Sequence, residues 1–275
     1  MFTAIVGMFL SVPGMVSMET LLLATLGIGL SAAAGAAINQ LLDRRADLMM
    51  ARTQGRPLPT GQIHAGQALT FAVMLAICSI IILVVWVNLL TAGLTFASLI
   101  GYAVIYTVYL KHWTPQNIVI GGAAGASPPV LGWAAVTGEI SSDALLLFLI
   151  IFCWTPPHFW TLALYRRQEY ADAGIPMLPV THGDKFTRLH ILLYTVLLCG
   201  VTVMPFATQM SGTFYLLGVS VLNARFIFLS WKLYREYSDT LARRTFGYSI
   251  QYLAMLFTLI LLDHYRLFVY GLFNV

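Results

Sequence analysis

Asn39, Asp43 and Asp47 recur every four residues in a chain that is otherwise very apolar. If the segment is helical, this spacing puts one amide and two carboxylates on a single face, one turn apart. Clustered hard oxygens suit Mg²⁺, which commonly joins one or two carboxylates to phosphate oxygens. Arg44, Arg45, Arg52 and Arg56 lie in the same stretch. Guanidinium groups grip phosphate through paired hydrogen bonds. Acids and bases together therefore fit a metal–diphosphate clamp better than either alone. Pro57 and Pro59 follow Arg56 and restrict the backbone, which could hold that arginine over a cavity. The same residues also fit an ordinary basic loop with compensating acids.

A second polar stretch runs from Trp154 to Arg188. Tyr165 and Glu169 are four apart, and Asp172, Asp184, Lys185 and Arg188 follow. Glu169 could complete a second metal site facing the first. Tyr165 could hydrogen-bond a phosphate oxygen or a metal-bound water, and Lys185 or Arg188 could take further phosphate charge. His158 follows Pro156-Pro157 within an apolar run. A histidine at membrane depth is unusual, and it either meets the polar edge of a substrate or is satisfied by a neighbouring helix. Trp154, Phe159 and Trp160 could line a flat apolar cavity or simply pack.

Between these stretches, Lys111 and His112 mark a helix end. Thr114-Pro115 reads as an N-cap and first-turn pair, so Gln116 and Asn117 face the same polar region. The run Gly121-Gly122-Ala123-Ala124-Gly125-Ala126 favours close helix packing and could also leave room for a bulky apolar ligand. It has neither GxGxxG spacing nor a P-loop lysine, so it is not a nucleotide loop.

The elements that position these residues are set by composition. Of 275 residues, 59% are hydrophobic and 9% charged, against about 25% charged in soluble domains. Mean hydropathy is +0.81. The chain is read as an integral membrane protein. Apolar runs at 2–12 (short), 19–38, 66–87, 90–110, 117–137, 143–164, 190–208, 212–231 and 246–265 predict an all-α polytopic bundle of about nine transmembrane helices, the first shortened. Long unbroken runs argue against a β-barrel. A single domain covers 1–275.

Of the 15 Lys and Arg, all but Arg225 and Arg266 fall in loops 39–65, 111–116, 165–189 and 232–245. The intervening loops carry none. This bias places the basic loops, and the motifs in them, in the cytoplasm. It also reports topology and not nucleic-acid binding. Cys78, Cys153 and Cys199 all sit in apolar runs and suggest no disulfide framework. The opening "MFTAIVGMFLSVPG" lacks the basic region of a cleavable signal peptide.

Three blocks carry a family resemblance: "NQLLDRRADLMMARTQGRPLPTG" at 39–61, "YTVYLKHWTPQNIVIGGAAGASPPVLGWAAVTG" at 106–138, and "WTPPHFWTLALYRRQEYADAGIPMLPVTHG" at 154–183. The chain resembles the UbiA-type membrane prenyltransferase superfamily over nearly its whole length. The first block marks the superfamily, and the other two resemble its haem-farnesylating branch. The resemblance implies a nine-helix bundle around a central cavity, in the inner membrane of a bacterium. It implies transfer of farnesyl from farnesyl diphosphate to a vinyl group of haem B, giving haem O, with haem as substrate and not as resident cofactor.

On the same resemblance, Mg²⁺ is the expected cofactor, held by Asn39, Asp43 and Asp47 with help from Glu169. Arg56 becomes the phosphate-side arginine, and His158 a haem-side residue. The broader superfamily has aspartates at both anchors of its second motif, where this chain has Tyr165 and Glu169, so a second metal site would be less acidic. Haem A synthase or terminal-oxidase assembly proteins are the implied partners, beside the lipid bilayer. The family's first helix is usually longer and entered through a Lys-Pro-Arg-like element, so this chain is expected to begin inside it. Rival readings are prenyl transfer to a quinone-ring precursor, a transporter, and a non-catalytic oxidase-assembly protein.

Overall fold

The computed structural model describes residues 1–273 other than Arg52, leaving aside the side chains of His112 and of 267–273. The contributions expected of Arg52 and of the His112 side chain thus lie outside the described residues. Helices α1 (Phe2–Leu10), α2 (Met18–Leu48) and α3 (Ala65–Trp86) open the chain. Next, α4 (Leu89–Ile100) runs into a π-helical segment, Gly101–Leu110, and a last turn, α5 (Lys111–Trp113). One further span consists of α6 (Asn117–Ala126) and α7 (Pro128–Thr137), interrupted at Ser127. Then come α8 (Ser142–Tyr165), the short α9 (Arg167–Asp172) and α10 (Leu178–Thr181), and finally α11 (Gly183–Ala207), α12 (Thr213–Arg235) and α13 (Asp239–Phe273). Among the described residues there is no strand.

Among the described residues, eight helical spans are long and apolar enough to cross a membrane. The shortened ninth is α1, whose nine residues reach about 14 Å, half of a ~30 Å hydrocarbon core. It survives by packing on α7. A Cβ on Gly7 would collide with the Pro129 carbonyl, and one on Gly132 with the Ala4 carbonyl, so the two backbones touch through both glycines. Elsewhere, side-chain caps start the spans. Ser17 accepts from the Thr20 amide at 3.1 Å, Asn88 from Thr91 at 2.8 Å, and Ser141 from Ala144 at 3.1 Å. Asn88 also donates to the Ala134 carbonyl at 2.8 Å, tying the start of α4 to α7.

The central helix is α8, which packs on α6, α11 and α13. Its face carries Leu146, Leu147, Ile150 and Ile151 into the main core with Phe226, Tyr252 and Phe257. The outer face of α3 is given to lipid, exposing Phe71, Met74, Ile77, Ile81 and Val85. Deep in the α11–α13 side, polar groups satisfy one another. Tyr252 donates to Asn223 Oδ1 at 2.6 Å, Asn223 to Thr202 at 3.1 Å, and Tyr215 to the Thr202 carbonyl at 2.7 Å. At the other end of this side, buried Asp263 of α13 accepts from the Gly212 amide and, at 3.4 Å, from that of Tyr215, capping α12.

The apolar runs overrun the helices by two residues at most, but four helices extend beyond them into the polar stretches. α2 continues to Leu48 and α12 to Arg235, and α11 and α13 begin at Gly183 and Asp239. Hydropathy marks where the hydrocarbon ends, whereas a helix stops only where its backbone bonding does. With 31 residues, α2 spans roughly 46 Å, so its last turns stand clear of the apolar core. Those turns carry the first polar motif.

Candidate active site

Because α2 stays helical through its end, Asn39, Asp43 and Asp47 share one face. All three line a cavity of about 330 Å³ between α2, the π-helical segment, α6 and α8. That size lies at the lower end of ligand pockets, ~300–1,000 Å³. Asp43 and Asp47 are buried, only 6% and 5% exposed. Each meets a base from another part of the chain. Lys111 Nζ lies 2.5 Å from Asp43 Oδ2, and Arg56 Nη1 2.8 Å from Asp47 Oδ2. Asn39 Oδ1 accepts from Thr107 Oγ1 at 3.2 Å. Arg44 and Arg45 are exposed and outside the cavity.

The loop after α2 folds back to deliver Arg56. Thr53, itself buried, donates its hydroxyl to the Asp47 carbonyl at 3.0 Å. Its amide bonds Met50 O at 2.9 Å, and Arg56 N bonds Thr53 O at 3.0 Å. Lys111 is held from behind, where buried Asn117 donates to the Lys111 carbonyl at 3.1 Å. The oxygen of that amide, Asn117 Oδ1, finds no partner among the described residues. Gln116 is exposed, and neither it nor Asn117 lines the cavity.

The second polar stretch is arranged differently. Arg166 Nη1 grips both Glu169 oxygens, at 2.9 and 3.0 Å. Arg167 pairs with Asp184 at 3.2 Å. Arg188 donates to the Tyr234 and Leu233 carbonyls at 3.2 and 3.4 Å, closing the C-terminal end of α12. Lys185 is exposed. The Tyr165 ring lies under the Arg243 guanidinium at 4.4 Å. None of Tyr165, Glu169, Lys185 or Arg188 lines the cavity. Among the described residues no three acidic, His or Cys side chains gather as a metal cluster. The expected fourth ligand is therefore not brought to the first motif. The physical reason is a break in the helix. α8 ends at Tyr165, Arg166 leaves helical geometry at φ −116° and ψ 19°, and α9 restarts at Arg167. The four-residue spacing of Tyr165 and Glu169 thus spans a break and not a turn.

His158 is also outside the cavity. Its ring is stacked between Trp154 and Phe246, with centroids at 4.2 and 4.6 Å. Its Nδ1 lies 2.7 Å from Ser249 Oγ. Trp154 does line the cavity, and its Nε1 donates to the Ser249 carbonyl at 2.8 Å. His158 therefore supports a cavity wall and does not face it. The wall also includes residues that spacing arguments missed: Tyr102 and Tyr106 of the π-helical segment, Met50, and Tyr170, Ile175 and Met177 from the α9–α10 region. Tyr102 and Tyr106 repeat the four-residue interval just ahead of Lys111, a signal hidden by the apolar run around them. Tyr106 packs so closely on Gly121 that a Cβ there would overlap its ring. That gives the Gly/Ala run a packing role at the site.

A helical membrane bundle with a carboxylate–amide face, opposed by two bases at the mouth of an apolar cavity, has the build of a membrane enzyme for diphosphate donors. The model of the UbiA prenyltransferase family matches residues 1–260, and the chain belongs to that family. It is 60% identical to the protoheme IX farnesyltransferase of Nitrosomonas eutropha, over 97% of this chain and 90% of that protein. Its fold is similar to that of a digeranylgeranylglyceryl phosphate synthase, with TM-score 0.81, 19% identity, and 96% and 92% of the two chains covered. It is also similar to a UbiA homologue from Archaeoglobus fulgidus bound to DMAPP and Mg²⁺, with TM-score 0.67, 16% identity, and 94% and 93% covered. The chain is a multi-pass membrane protein.

Proposed function

We propose that this chain transfers the farnesyl group of farnesyl diphosphate to a vinyl group of haem B, forming haem O, as one catalytic domain over residues 1–275. The carrying observation is the buried Asn39–Asp43–Asp47 face with Lys111 and Arg56 against it. The identity of the acceptor leans on the protoheme IX farnesyltransferase relative.

The donor set fits a divalent ion. It offers two carboxylates and one amide, all hard oxygens, and too few of them to complete a shell without phosphate oxygens or water. Mg²⁺ bound to Asn39, Asp43 and Asp47 would neutralise the diphosphate as a Lewis acid. The archaeal homologue solved with Mg²⁺ and a prenyl diphosphate supports the same use here. Arg56 and Lys111 exchange a carboxylate for a phosphate oxygen when the donor arrives, so neither base is left buried and unpaired. The farnesyl C–O bond breaks with its electron pair leaving on diphosphate. The vinyl π pair forms the new carbon–carbon bond at C1. Water captures the porphyrin-side cation and loses a proton, giving a hydroxyethylfarnesyl group. Ile118, Ile151 and Phe159 limit earlier entry of water. The Tyr106 ring borders the same space, and aromatic faces attract cations.

The Lys/Arg bias supports a cytoplasmic site in a bacterial inner membrane. A haem product has to be handed on, so we infer haem A synthase or oxidase-assembly proteins as partners. The test is purified protein with haem B, a quinone-ring precursor, farnesyl diphosphate and Mg²⁺, followed by the masses of both acceptors. A gain of one farnesyl group plus one hydroxyl is expected. Unchanged haem beside a prenylated quinone-ring precursor would overturn the proposal.

A further inference from the structure

We propose that Tyr102 sets the length of prenyl chain the enzyme accepts, by closing the boundary between the cavity above and a second one; this rests on the prenyl-transfer reading. The second cavity, about 300 Å³, lies between α2, α4, α6 and α7. Tyr102 and Gly125 line both cavities. Among the described residues, no Asp, Glu, Lys, Arg or His side chain lines the second. Of its hydroxyls, Ser98 and Ser127 bond each other at 2.8 Å, Ser127 bonds the Ala124 carbonyl at 2.8 Å, and Thr95 Oγ1 has no partner among the described residues. Such a wall suits hydrocarbon. None of those side chains offers a cation to a diphosphate or to the carboxylates of a porphyrin.

The boundary is a built feature. On α2 the wall is Ala32, Gly35 and Ala36, and a Cβ on Gly35 would lie 3.2 Å from Tyr102 Cδ1 and 3.3 Å from Leu99 Cδ1. A side chain at position 35 would thus crowd the tyrosine ring, which would have to give by a few tenths of an ångström. It is braced from the other side by Tyr106, with centroids 5.7 Å apart and planes at 13°. Gly35 lies two turns before Asp43, about 12 Å along the helix axis. A chain anchored by its diphosphate at Asp43 and Asp47 and running along α2 reaches Tyr102 with its distal part. Removing the ring joins the two spaces, and filling the second space shortens the track.

The test uses full-length protein in detergent or nanodiscs with haem B, Mg²⁺ and equimolar geranyl, farnesyl and geranylgeranyl diphosphates, reading porphyrin masses. Wild type favours farnesyl. Tyr102→Ala is expected to raise the geranylgeranyl-to-farnesyl product ratio about tenfold, the scale on which pockets discriminate chain length. Ala32→Leu is expected to shift use toward geranyl. Ratios within about twofold of wild type in both variants, with unaltered thermal unfolding, overturn the proposal. If Tyr102→Ala does not fold, Tyr102→Leu takes its place. If wild type prenylates no porphyrin, the activity reading fails on its own. The chain-length inference is then read from calorimetric affinities for unreactive farnesyl and geranylgeranyl thiolodiphosphates, where an unchanged ratio overturns it.

Discussion

The polar segments after α2 and after α8 look alike on paper and differ in space. Both follow a long apolar helix, both mix acids with bases, and both carry polar residues four apart. After α2, the acids are buried in a cavity, and their bases come from nine and 68 residues away. After α8, Glu169 pairs with Arg166 three residues back, and Arg188 closes the end of another helix. The difference is made by the backbone. A helix that continues past the membrane boundary keeps its polar residues on one face, while a helix that stops scatters them. Long-range pairing of buried charge then marks a site better than charge density does.

The contrast is easiest to break at its strong end. Asp43→Asn or Asp47→Asn removes a carboxylate of the proposed metal site and leaves a base without its acid. Prenyl transfer in membranes is expected to fall by about 100-fold or more, the scale of losing one aimed electrostatic group, with protein abundance similar. Turnover near wild type in either variant would remove that residue from the machinery. Next in size, Lys111→Met should cost roughly 10- to 100-fold in kcat/KM for farnesyl diphosphate. It should also lower Tm, since Asp43 keeps a buried charge without a partner. An unchanged KM and Tm would mean that Lys111 is a bystander.

Smaller effects sharpen the picture. His158→Ala opens space between Trp154 and Phe246 and removes one of the two bonds of Ser249 Oγ, which keeps its bond to the Phe246 carbonyl. A stability loss of about 2 kcal/mol is expected in thermal or denaturant unfolding. Its activity should recover in step with folded protein when measured at low temperature. A selective rise in haem KM at full stability would instead restore His158 to a substrate-facing role. Smallest of all, Glu169→Gln should change turnover by no more than about threefold, because it loosens only a part-exposed pair with Arg166. A loss as large as that of Asp43→Asn would show that the α9 segment rearranges to bring Glu169 inward on substrate binding.

Much of this was legible from residue order. Hydropathy located the spans because about 20 apolar residues are needed to cross. The first motif was legible because its three residues keep helical register to the end of α2. The second does not gather at the cavity, and no proline or glycine in the sequence marks the break at Arg166 that separates its residues. The return of Arg56 depends on the Thr53 hydroxyl reaching Asp47 O, a tertiary event with no periodic trace. Tyr102 and Tyr106 were hidden because aromatic residues within a span read equally well as lipid-facing packing.

The carboxylate of Asp263 bears on how the chain enters the bilayer. It sits near the far end of α13, and the amides that satisfy it belong to the start of α12. Threaded alone, α13 would carry an unsolvated acid through oil. Threaded as a hairpin with α12, it brings its own receptor along. Biogenesis of this region is thus best served by handing the two segments from translocon to lipid together.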